Sequence, residues 1–134
     1  MTRVVLDTNV FVSSYFGGNP RKVIDRWKTG TLTLCLSPAI IEEYTAVLSR
    51  LGLKNHPELK ELLTLFAKGY QCLFIAKTPN LNIVPEDPAD NKFFECAVAL
   101  DAQWIISGDK KVLQVKDYMG IRTVSPKEFL QETA

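Results

Sequence analysis

Val4-Val5-Leu6-Asp7-Thr8-Asn9 is a short apolar run that stops abruptly at an ionisable group, and Trp104-Ile105-Ile106-Ser107-Gly108-Asp109 repeats the arrangement near the other end of the chain. Apolar runs without polar alternation are what a sheet covered on both faces requires. Working outward, Leu32–Leu36, Cys72–Ile75 and Arg122–Val124 are further short runs rich in apolar or β-branched residues, and Arg3–Leu6 and Trp104–Ser107 complete the set of candidate strands. Helical periodicity fills the intervals. Ser37-Pro38 places a capping hydroxyl before a proline at the first helical position, Ser125-Pro126-Lys127-Glu128 adds the glutamate of a capping box, and Asp87-Pro88-Ala89-Asp90 marks a third helix start. Strands separated by helices predict right-handed crossovers. Residues 1–134 are therefore expected to form a single three-layer α/β/α domain around a central, mainly parallel sheet of four to five strands. Such sheets carry their sites beyond the carboxyl ends of the strands.

Composition agrees with one core. The chain has 134 residues, 46% apolar and 23% charged, with a formal charge of +1, so any nucleic-acid partner must be recognised by local rather than bulk charge. Cys35, Cys72 and Cys96 lie in largely apolar runs without a CxxC pair, which suits buried reduced thiols in a cytoplasmic protein. Asp7 interrupts the opening apolar stretch before it reaches the length of a secretory signal or membrane span. His56 is the only histidine, which disfavours a Ser-His-Asp triad or a histidine-based zinc site. Trp27 and Trp104 read as core residues.

The strand ends direct attention to Asp7 and Asp109, although either could simply cap a helix. Two helices add more acids. At about 100° per residue, Ile40, Ile41, Tyr44, Val47, Leu48 and Leu51 form one stripe. Glu42 lies opposite this stripe, whereas Glu43 lies at its edge, where a carboxylate needs a partner. Phe93, Phe94, Ala97, Val98 and Leu100 define the buried face of the next acidic helix, with Asp90 near its middle and Glu95 pointing away. Asp87 has a sufficient explanation as a cap before Pro88, and Asp101 lies about three turns away. Counter-charges are scarce: Lys92 maps opposite Asp90, leaving Lys110 as the adjacent cation. Asp7, Glu43, Asp90 and Asp109, brought together, would repel one another unless a divalent cation neutralised them, and an all-oxygen set favours Mg²⁺ or Mn²⁺. A phosphodiester is the natural substrate of such a centre.

These motifs, in their order, resemble the PIN-domain nucleases, more narrowly the PIN-type (VapC-like) toxin components of toxin-antitoxin systems. The resemblance rests on Val4-Val5-Leu6-Asp7-Thr8-Asn9-Val10; Ser37-Pro38 with Glu43-Tyr44 and Val47-Leu48; Asp87-Pro88-Ala89-Asp90-Asn91-Lys92-Phe93; and Ile106-Ser107-Gly108-Asp109-Lys110. It implies a metal-dependent endoribonuclease with Asp7, Glu43, Asp90 and Asp109 as the catalytic, metal-binding acids, a homodimer, and a cognate antitoxin that blocks the site. Many relatives carry a further acid where this chain has Lys111, so a second metal position lacks that ligand.

The expected chemistry is in-line attack of water on RNA, leaving 5′-phosphate and 3′-hydroxyl ends, with Asn9 and Ser107 orienting waters or ligand carboxylates. Lys92, Lys110 and Lys111 lie near the acidic motifs but read as ordinary exposed lysines. Two alternatives stand beside this reading. A haloacid-dehalogenase-like phosphatase would use Asp7 as nucleophile, but Asn9 stands where that family has its general acid. A non-catalytic module would keep the PIN architecture and only occupy RNA or a protein partner. The Glu58–Phe66 pattern, with Leu59, Leu62, Leu63 and Phe66 on one side, suits either core or a dimer surface, and Lys77 to Pro88 reads as a long flexible loop near the site.

Overall fold

Val4, Val5 and Leu6 are all but inaccessible, and because consecutive strand residues point to opposite faces, the first strand must be covered on both. The computed structural model of the chain describes Thr2 to Thr133. In chain order it contains β1 (Thr2–Leu6), α1 (Thr8–Ser13), α2 (Gly18–Lys28), β2 (Leu32–Leu36), α3 (Pro38–Arg50), α4 (Pro57–Ala67), β3 (Cys72–Phe74), α5 (Asn91–Ala99), β4 (Trp104–Ile106), α6 (Lys110–Leu113), β5 (Asp117–Tyr118), β6 (Ile121–Val124) and α7 (Pro126–Glu132). Short 3₁₀ turns at Ser14–Phe16 and Pro88–Asp90 precede α2 and α5.

The strands form one sheet in the order β3-β2-β1-β4-β6-β5, parallel throughout except for the β5–β6 pair. The expected α/β domain is thus present, with six strands rather than four to five. The additional strand, β5, is only two residues long, too short for any periodicity, and turns into β6 through Met119-Gly120, both at positive φ (54° and 85°) as a tight type I′ turn demands. Helix α5 packs on β1, β2 and β4, while α2 packs on β2 and α7.

From β1 the chain runs outward to β2 and β3 on one side and later to β4 and β6 on the other, so the topological switch point lies between β1 and β4. Leu6 is in register with Ile106, and the next residues, Asp7 and Ser107, leave the sheet side by side. The Asp7 amide still donates to the Ile106 carbonyl at 3.0 Å, and the Ser107 amide to Val124 at 2.9 Å.

Four devices hold these elements together. Phe11 of α1 stacks on Tyr44 of α3 with ring centroids 4.2 Å apart, and the Tyr44 hydroxyl donates to the Leu6 carbonyl. Arg21 donates to the carbonyls of Ser14 (2.5 Å) and Tyr15 (3.1 Å) and, through Nη2, to both carboxylate oxygens of Glu58 (2.8 and 3.0 Å), tying the turn after α1 to the start of α4. His56 caps α4 through Nδ1, which accepts from the Glu58 amide at 3.1 Å. The fourth lies in the segment before Pro88, which is irregular as expected and is tied down at three of its amides. Glu95 does not point idly away: its Oε2 accepts from the Leu81 amide (2.9 Å), and Asn91 Oδ1 accepts from the amides of Ile83 (3.0 Å) and Val84 (2.8 Å). Helix α5 therefore anchors the loop that leads into its own start.

Trp27 is fully buried and its indole N–H reaches the carbonyls of Tyr70 and Gln71. The three cysteines are free; Cys35 and Cys96 are buried, and burial pushes both thiols up to about 12. Of the Glu58–Phe66 stripe, Leu59 and Leu62 belong to the core and Leu63 is exposed.

Candidate active site

Asp7 follows β1 with extended backbone and caps α1, its Oδ1 accepting from the Val10 amide at 2.9 Å. Its other oxygen accepts from the Ser107 hydroxyl, and Ser107 Oγ in turn accepts from the Asp109 amide at 3.0 Å. Ser107 is thus a bridge between the ends of β1 and β4. Asp7 is only 4% exposed, and its carboxyl pKa is raised, by burial before all else and by Asp109, against the lowering effect of Ser107 and Val10.

Asp7, Glu43, Asp90 and Asp109 all line one open hollow of about 240 Å³, floored by Phe93 and Val47, with Arg50 at its edge. This is where the fold places the four acids read from the sequence. Each arrives differently. Asp109 caps α6 while its carboxylate remains at the hollow. Glu43 projects from α3, which Ser37 caps after β2.

Glu43 has the partner that its edge position demanded, although the partner is unexpected. The Thr8 hydroxyl donates to Oε2, and Lys92 forms an ion pair with Oε1 at 2.7 Å. Lys92 is therefore the counter-charge, a role the sequence reading gave to Lys110. A helical wheel describes directions around α5 alone; the long Lys92 stem reaches across to α3, whose place no wheel contains.

Asp87 is a second correction. It stands before Pro88 as expected, but its side chain makes no capping hydrogen bond. Instead Asp87, Asp90 and Asp109 can each turn a carboxylate oxygen toward a common point, with these oxygens within 4.8 Å of one another. The available signal was its three-residue spacing from Asp90, since side chains three apart in a 3₁₀ turn lie above one another.

Asp90 Oδ2 is buried without a hydrogen-bond partner among the described residues. Its pKa is pushed up to about 6, by burial and then by Asp87, Asp109, Asp7 and Glu43. A buried, unpartnered carboxylate oxygen among like charges is unfavourable as it stands, and a hard divalent cation is the ligand that would satisfy it. The donor set is entirely oxygen, which fits Mg²⁺ or Mn²⁺ and not zinc. Asn9 is exposed at the rim.

The family model described as PIN domain matches residues 3–111, a span that contains all five of these acids. A relative from Methanocaldococcus jannaschii, named as the uncharacterized protein MJ1680, is 32% identical over 145 aligned residues, covering 97% of this chain and 90% of its own. No solved structure matches the chain.

Proposed function

Because this chain belongs to the PIN-domain family, a nuclease-type fold, we propose that it is a Mg²⁺- or Mn²⁺-dependent endoribonuclease and the toxin component of a toxin-antitoxin pair. The observation that carries this reading is the buried, unpartnered oxygen of Asp90 beside Asp87 and Asp109 at the sheet's switch point. Asp7, Glu43, Asp90 and Asp109 are the catalytic, metal-holding acids, and Asp87 joins them. A bound divalent cation supplies charge neutralisation at the phosphate oxygens and a lowered pKa for the attacking water.

The protein's own groups make that possible. Ser107 fixes the Asp7 carboxylate and the Asp109 backbone together, so two ligands from different strands share one hinge. Thr8 and Lys92 fix Glu43 and spread its charge. Arg50, exposed at the rim, meets the phosphodiester that the acids alone would repel. Hydrolysis by in-line attack leaves 5′-phosphate and 3′-hydroxyl ends. Asn9, exposed at the rim, cannot act as the general acid that a phosphatase using Asp7 as nucleophile needs two residues on, which argues against that reading.

The antitoxin and the homodimer belong to this reading through the family resemblance, and the cytoplasm through the free cysteines. No described helix is long and apolar enough to cross a membrane. The test is cleavage of a mixed RNA pool with Mn²⁺, Mg²⁺ or EDTA, with an Asp90→Asn variant alongside. Metal-dependent cleavage lost in the variant is expected. Equal cleavage by both proteins marks a contaminant, and binding without cleavage under every metal condition would replace the enzyme with a binding module.

A further inference from the structure

Beside the acidic hollow lies another, of about 300 Å³, walled by Val10 and Ser13 of α1, Asn19 and Pro20 of α2, Gly108, and Ser125-Pro126-Lys127 at the start of α7. Asn9 borders both hollows. Gly108 stands between Ser107 and Asp109, and a β-carbon built there would meet nothing within 4 Å, so this stretch of chain adds no side chain to the wall of the second hollow.

The two hollows differ in kind. Five carboxylates surround the first, whereas the second has no carboxylate in its lining and Lys127 as its ionic group. Val10, Pro20 and Pro126 give it apolar walls, and the amides of Asn9 and Asn19 with the Ser13 hydroxyl supply donors and acceptors. Flat apolar faces with hydrogen-bonding edges are the chemistry of a nucleobase, and unstacked bases are how single-stranded RNA is read. Ser125-Pro126-Lys127 lies beyond residues 3–111, so this wall is supplied outside the family-matched segment.

We propose that this hollow seats the base of the nucleotide adjoining the scissile phosphate and selects which phosphodiester is cut; the inference rests on the ribonuclease reading above. Lys127 then lies toward the backbone of the same strand. The test maps cut sites in an RNA pool with Mn²⁺, then measures kcat and KM on short oligonucleotides varied in the base next to the preferred cut. The wild-type protein is compared with Asn19→Ala and with Ser13→Phe, which fills the space, each checked for folding by thermal melting. Expected are a base preference in the wild type, its flattening in both variants, and a KM raised about tenfold in Asn19→Ala with kcat changed less than twofold. Wild-type KM and an unchanged cut-site pattern in both variants would overturn the hollow's role and leave the ribonuclease reading standing. A wild-type protein that cuts no RNA with either metal sinks that reading, and the base site with it.

Discussion

Glu58 and Asp90 are both half-buried carboxylates, and the fold treats them in opposite ways. Glu58 has both oxygens held by Arg21 Nη2, which also donates to the Tyr15 carbonyl while Nε donates to that of Ser14, so charge is converted into structure. Asp90 has a buried oxygen with no partner among the described residues and four acids as neighbours. The first arrangement is complete within the chain; the second is unfavourable when ionised, and a proton or a divalent cation would relieve it. The completed pair belongs to the scaffold, and the incomplete one is the site for which metal binding is proposed.

The sharpest way to break this contrast is Asp90→Asn. Metal-dependent RNA cleavage should fall about 10³-fold, several kcal/mol of lost transition-state stabilisation, while the metal-free protein should melt at higher temperature because a repelled, desolvated charge has gone. Mn²⁺ should raise the melting temperature of the wild type and leave the variant unmoved. Arg21→Ala tests the other half: it should cost about 3 kcal/mol by denaturant unfolding, since it strands Glu58 and two carbonyls, with the kcat of the remaining folded molecules preserved. Ser107→Ala should weaken Mn²⁺ binding by about 10- to 100-fold in a calorimetric titration, because Asp7 loses its donor and the Asp109 amide its acceptor.

The smallest effect is a pH dependence. Asp90 titrates near 6 when folded and near 3.8 when unfolded, so the native state holds the proton more tightly. Stability of the metal-free protein should therefore be greatest below about pH 4 as far as this group is concerned, and fall as pH rises to 6, by on the order of 1–2 kcal/mol after solvent screening. Asp7, also raised, acts in the same direction. In Asp90→Asn that decline should shrink. A wild-type protein that instead gained stability across this window would reverse the sign of the argument.

Strand ends and helix caps were legible because they are local. Val4-Val5-Leu6 stopping at Asp7 and Ile106 stopping before Ser107 declare where the sheet ends, and Ser125 with Glu128 forms the capping box its spacing announces. Glu43 was legible as an acid in need of a partner, but not the partner, because the approach of α5 to α3 is tertiary. Asp87 was concealed by a sufficient local explanation: a proline after an aspartate resembles a cap whether or not the side chain closes it. The strand β5 offered two residues and no pattern at all.

The loop that delivers Asp87 has no regular secondary structure, yet the amides of Leu81, Ile83 and Val84 each end on a side-chain oxygen of α5. In amide exchange these three should form a slow island within an otherwise fast stretch, opening only when α5 loosens. Their exchange rates would then report the integrity of α5 from a position outside it.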